Sequence, residues 1–204
     1  MINIRTLWDR VRGVAAAIVC TGLLGVVLAP RAPADVADRK TIVTFSAPVE
    51  VPGKVLPAGT YVFKILDTAG SRNVVQILDK DEKQVYSTIL GVPNYRMDPP
   101  EKPVVSFEER PSGSPEALKA WFYPGDTYGV EFVYPHKRAV ELAKRTNQNV
   151  LSMPDEMTKN MAAPNKSAGD SSVKQLENAK VTGSSPSGEP IDLVIVVAPS
   201  PEKK

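Results

Sequence analysis

Between Lys40 and Tyr134 the chain alternates short β-branched and aromatic runs with Pro–Gly turns, and this pattern restricts it to sheets. "KTIVTF" (Lys40–Phe45) opens the series, and "TYVFKILD" (Thr60–Asp67) sets Tyr61, Phe63 and Ile65 on one face. "NVVQILD" (Asn73–Asp79) and "QVYSTIL" (Gln84–Leu90) flank the polar turn "KDEK", which reads as a hairpin. "KPVVSFEE" (Lys102–Glu109) aligns Val105 with Phe107. Val51-Pro52-Gly53-Lys54 and Tyr123-Pro124-Gly125-Asp126 each place Pro then Gly at the centre of a type II turn, where glycine takes the positive φ. Leu56-Pro57-Ala58-Gly59 suits a type I turn feeding the Tyr61 strand. The fold class expected is mainly β: a small antiparallel β-sandwich or barrel of about seven or eight strands with a C-terminal capping helix and a disordered tail.

The stretch "KAWFYPGDTYGVEFVYPHKRAVELAKR" (Lys119–Arg145) contains six aromatics and the chain's single histidine. Ala117–Tyr123 and Val130–Tyr134 form the arms of a hairpin around "PGDTYG". Strict alternation sets Lys119, Trp121 and Tyr123 on one face and Leu118, Ala120 and Phe122 on the other. Large apolar groups on both faces require cover on both sides, and Pro135–Arg145 supplies a helix. Its apolar stripe is Ala139, Val140, Leu142 and Ala143, with Glu141 four residues before Arg145. Burying an indole removes about 200 Å² from water, worth up to about 5 kcal/mol, comparable to the net stability of a small domain. Trp121 and its neighbours therefore read first as core. The rival reading makes Tyr123, Tyr128 and Tyr134 a ligand surface for a sugar ring or a peptide.

Residues 1–34 read as a secretory signal. Arg5, Arg10 and Arg12 precede the apolar run Gly13–Ala29, and Ala32-Pro33-Ala34 supplies the cleavage pattern, leaving Asp35 as the new N-terminus. An uncleaved anchor is the alternative, and only then does a membrane become a partner. This segment holds four arginines and one aspartate, so its removal takes the formal net charge from +2 to about −1. The basic balance thus belongs to the signal and gives no argument for nucleic acid. Cys20 leaves with it, so disulfides and thiolate chemistry are excluded from the exported chain. A polar lead (35–39) and the β-rich body (40–145) follow, then a low-complexity tail (146–204) that reads as too polar to order itself, with "VLSMPDEMTKNM" (Val150–Met161) as a docking segment or a loose turn of helix. Within the tail, "IDLVIVVA" (Ile191–Ala198) is either a strand or a sticky unstructured segment. As a strand it pairs with an exposed sheet edge, in cis or in trans on a partner or a second copy, through Ile191, Leu193, Ile195 and Val197.

Few side chains here advertise chemistry. His136 alone cannot build a histidine-type metal site and reads as a surface residue at a helix start. No G-x-S-x-G elbow, P-loop or dinucleotide fingerprint occurs, and Ser112 lies in a loop. Glu108 and Glu109 are strand neighbours that point to opposite faces. Asp79, Asp81 and Glu82 lack the glycine and further ligands of a calcium loop. The expectation is no catalytic residue, no metal and no cofactor, with the enzyme question leaning to the negative.

"FSAPVEVPGKVLPAGTYVFKI", "GVPNYR", "FEERP", "ALKAWFYPG", "EFVYP" and "KRAVELA" together resemble a group of predicted exported bacterial proteins. That resemblance spans about Val43 to Arg145 and implies no catalytic residues. The shorter "VLPAGTY" resembles the turn into a strand of immunoglobulin-like and prealbumin-like sandwiches, which bears on fold alone. Together these readings imply a non-catalytic, periplasmic or extracellular β-domain with a binding, structural or assembly role. The alternative is a carbohydrate-binding module or hydrolase using the hairpin at 123–134.

Overall fold

The computed structural model describes residues 39–66, 73–108, 114–161 and 170–193. The signal-sequence reading of residues 1–34 lies outside the described residues. Among the described residues no helix is long and apolar enough to cross a membrane.

The fold is mainly β. Its large sheet contains nine strands: β1 (Lys40–Phe45), β2 (Val49–Val51), β3 (Lys54–Leu56), β4 (Gly59–Ile65), β5 (Asn73–Asp79), β6 (Val85–Tyr95), β7 (Val104–Glu108), β8 (Glu116–Phe122) and β9 (Tyr128–Phe132). Their order is β1-β4-β5-β6-β9-β8-β2-β3, with β7 on the far side of β8. Every pairing is antiparallel except that of β2 with β8. The sheet curls on itself: the Phe45 ring of β1 meets Phe107 of β7 at 6.3 Å, and Phe63 of β4 meets Trp121 of β8 at 5.8 Å. Both expected Pro–Gly turns are present, with Gly53 at φ +87° and Gly125 at φ +74°. The Tyr61 hydroxyl donates back to the Pro57 carbonyl at 2.8 Å, tying the turn that precedes β4 to its own strand.

The two arms around "PGDTYG" pair as expected, with Trp121 opposite Val130 and Phe122 opposite Gly129. Strict alternation along the first arm does not hold. Phe107 pairs with Leu118 and Ser106 with Ala120, so Lys119 is an extra residue, a β-bulge. The bulge resets the side-chain period, and Leu118 and Trp121 both join the main core. Phe122 then faces outward, covered by the Arg96 guanidinium 5.1 Å from its ring centre, not by the helix.

α1 (His136–Thr146) forms as the sequence predicts, with Asn147 in the left-handed conformation at its C-terminus. Ala139, Leu142 and Ala143 pack with Ala117, Tyr134 and Val150 in a second, smaller cluster. Glu141 pairs with Arg138, three residues earlier, instead of Arg145. The Arg138 fork also grips Glu50 of β2, Nε to Oε1 at 2.5 Å and Nη2 to Oε2 at 2.7 Å. Because Glu50 is only 7% exposed, this bidentate pair fastens the helix to the sheet.

The expectation that the chain beyond Thr146 buries too little to order itself is corrected for the described residues. A four-stranded sheet joins β10 (Tyr134–Pro135), β11 (Val150–Met153), β12 (Thr182–Ser184) and β13 (Pro190–Ile191) in that order. A 3-10 turn (Asp155–Met157) leads into α2 (Thr158–Met161), and α3 (Ser171–Glu177) follows, its start capped by the Asp170 carboxylate. Met161, Val173, Leu176, Ala179 and Val181 all enter the main core. α3 contacts β5 and β6, and Val74 and Val75, which point to opposite faces of β5, are both fully buried. The apolar run "VVQIL" thus needs cover on two sides, and the tail supplies one of them.

Candidate functional site

The loop end of the curled sheet brings together the β6–β7 connection and the β8–β9 turn. Two backbone bonds join them: Gly125 N–H donates to the Pro100 carbonyl at 2.7 Å, and Arg96 N–H to the Thr127 carbonyl at 2.8 Å. Asp126 orders the turn from within by accepting the Tyr128 N–H at 3.0 Å, and it accepts Arg39 Nη2 at 2.5 Å. The Arg39 guanidinium lies 4.7 Å from the Tyr128 ring centre and 5.7 Å from that of Tyr123, a cation held between aromatic walls and a carboxylate. Asn73 donates its side-chain amide to the Tyr128 hydroxyl. Burial raises the Tyr128 pKa above its usual value, opposed by that hydrogen bond and by the Arg39 charge.

Tyr95 sets its ring edge-on to Tyr128 at 5.7 Å and an interplanar angle of 80°. It remains 65% exposed, and Met97, two residues on, is 97% exposed. The end of β6 and the loop after it thus hold two large apolar side chains in water beside Arg96 and a half-buried pair of tyrosines. Exposed Tyr, Met and Arg in one place are the composition of a docking surface.

The residues predicted from sequence divide. Tyr123 and Tyr128 do meet at the hairpin tip, on either side of Arg39. Tyr134 does not join them. It is enclosed beneath α1 and donates its hydroxyl to the Leu118 carbonyl at 2.8 Å, so it is removed from the ligand surface. Trp121 is 2% exposed and belongs to the core. Ile191 pairs with Gly183 of the same chain, and Leu193 is partly exposed; Ile195 and Val197 lie outside the described residues. Arg39, at the end of the polar lead, and Tyr95, Arg96 and Met97 join the site only in the structure. An exposed Tyr-Arg-Met run before Pro99-Pro100 was the available sequence signal.

Other chemical groups are engaged in structure. Asp79 Oδ1 accepts the backbone N–H groups of Lys83 and Gln84, and Glu82 pairs with Lys40 at 2.6 Å. Among the described residues no cluster of three His, Cys, Asp or Glu could hold a metal. Half-buried His136 places Nδ1 3.4 Å from Ser184 Oγ, but Ser184 is fully enclosed in β12 and out of reach of a substrate. Glu108 is buried 3.4 Å from Lys119 Nζ, and Glu131 accepts from Asn94 at 2.9 Å. Burial raises the Glu131 pKa and the Glu108 charge adds to it, while Lys119 and Asn94 oppose the shift. A groove of about 540 Å³ runs between Thr44–Val49 and Phe107 with Ser114–Glu116; its walls are mostly apolar and include neither Glu108 nor Glu131.

Comparison with protein-family models, with curated proteins and with solved structures yields no match.

Proposed function

We propose that this chain is a non-catalytic, exported β-domain that acts in the cell envelope or outside the cell by docking a protein partner at its loop end. The observation that carries the reading is the pair Tyr95 and Met97, strongly exposed at the end of β6 and in the loop after it, where backbone hydrogen bonds hold the chain against the β8–β9 turn. Pre-ordered loops lose little entropy on binding, and Tyr, Met and Arg are the side chains interfaces favour. Export is supported by the basic start, the apolar run and the Ala32-Pro33-Ala34 pattern. A sugar platform is less well supported, because Arg39 packs against the Tyr128 ring and Tyr95 stands edge-on to it, leaving no broad coplanar shelf.

The test is a photoreactive residue placed at Met97, and as a control at exposed Lys144 on α1, in the cells that make the protein. The reading expects one adduct of defined mass from position 97, absent from position 144 and lost when Tyr95→Ala is added. No adduct at 97, or the same adduct at both positions, refutes it. N-terminal sequencing of the recovered protein checks export separately: it should begin at Asp35, and recovery of Met1 contradicts cleavage.

A further inference from the structure

Behind the exposed loops lies a cavity of about 10 Å³, bordered by Arg39, Ile65, Trp121, Tyr123, Tyr128 and Gly129. That space admits one small occupant, a water or a monatomic ion. Two of its lining side chains carry buried donors with no partner among the described residues: Nη1 of Arg39 and Nε1 of Trp121. Leaving such a donor unmet costs about 1–3 kcal/mol, more when the group is charged, so two around one small cavity call for an occupant.

The chemistry of the walls selects among occupants. A guanidinium and an indole N–H only donate, and the Tyr128 hydroxyl, which accepts from Asn73, keeps a proton of its own to give. A water here would satisfy both donors yet have two protons of its own to place. An acceptor without protons has no such need. Arg39 keeps Asp126 on Nη2, so its free Nη1 is the positive end of an ion pair whose carboxylate sits nearer solvent.

We propose that this cavity is an anion site, taking one halide-sized ion between Arg39 Nη1 and Trp121 Nε1. The site ties Arg39, which precedes β1, to the base of the β8–β9 hairpin, and so stiffens the loop end from beneath. It does not depend on the docking partner proposed above.

Bromide is the probe, since a heavy halide in contact with an indole quenches its fluorescence. The full chain carries two tryptophans, so Trp8→Phe leaves Trp121 as the reporter. Bromide is titrated against gluconate, too large for the cavity, at constant ionic strength. The site predicts quenching that saturates, and an unfolding midpoint higher in bromide than in gluconate. Arg39→Lys keeps a charge for Asp126 but removes the second donor; it should abolish the saturable component while the emission maximum stays in place. Should Arg39→Lys fail to fold, Trp121→Phe, which loses only the N–H and part of the ring, should shrink the midpoint difference. Linear quenching of equal slope in the parent and Arg39→Lys overturns the proposal and assigns the cavity to water. A midpoint difference undiminished in Trp121→Phe overturns it as well.

Discussion

Gly129→Ala tests the packing beneath the loop end through the sign of its effect. A methyl group built on Gly129 would lie 2.3 Å from Cδ1, 2.6 Å from Cε1 and 2.8 Å from Cγ of Phe122, all far inside van der Waals contact. Phe122 has little freedom to retreat, because Arg96 covers its ring at 5.1 Å and it sits directly opposite Gly129 in the ladder. Overpacking of this kind costs about 1–3 kcal/mol. Chain entropy alone pushes the other way, since Gly→Ala in a compatible conformation stabilises by about 0.4–1 kcal/mol. The contact term is larger, so the expected net effect is a loss of about 1–2 kcal/mol, near 2–8 °C in midpoint for a domain of this size. Urea unfolding should show a lower midpoint at an unchanged m-value. Phe122→Leu removes the atoms that clash, so in its background the same alanine should cost markedly less. A neutral or stabilising Gly129→Ala in the parent refutes the reasoning.

Three further perturbations probe the rest of the framework. Leu176→Ala removes a fully buried side chain of α3 and should cost about 2–5 kcal/mol by denaturant titration, whereas a change under about 0.5 kcal/mol would mean that the tail does not pack on the sheet. Arg138→Met leaves Glu50 buried without its bidentate partner and should cost about 2–4 kcal/mol, below the full range for buried pairs because the arginine is 30% exposed; adding Glu50→Gln should recover part of it in a double-mutant cycle. Glu131 has its folded pKa raised above the usual 4.5, chiefly by burial. Its favourable contribution is therefore complete below that value and is lost as pH rises through the folded pKa. Glu131→Gln should accordingly gain stability relative to the parent over that rise and hold the gain at neutral pH, as read by thermal midpoints from pH 4 to 8, while a constant difference contradicts the shift.

Local pattern made the strands legible, and long-range contact decided the remainder. β1, β4, β5 and β7 fall where β-branched and aromatic alternation places them, and Gly53 and Gly125 adopt the positive φ their turns require. The bulge at Lys119 was not legible, because it is defined by the register of β7 on β8 and not by any local property of "ALKAW". The second sheet is not legible in the sequence because its strands are only two to four residues long, too short to display a period. Met161, Val173, Leu176 and Val181 are sparse in a polar stretch, yet β5 presents a buried outer face for them to cover. Arg39 reached the site through a partner 87 residues away, which no window of sequence reveals. Tyr134 misled for the opposite reason: a tyrosine after a turn resembles a surface residue until its hydroxyl is seen bonded to two buried carbonyls.

The account depends on the hairpin's indole holding the fold together while the exposed side chains of the neighbouring loop meet a partner. Acrylamide quenching of Trp121 in the full chain carrying Trp8→Phe tests this most directly. Trp121 is only 2% exposed, so the account predicts a blue-shifted emission and a quenching constant close to that of an enclosed indole. A red-shifted emission quenched as readily as free tryptophan would place the ring in solvent and contradict it.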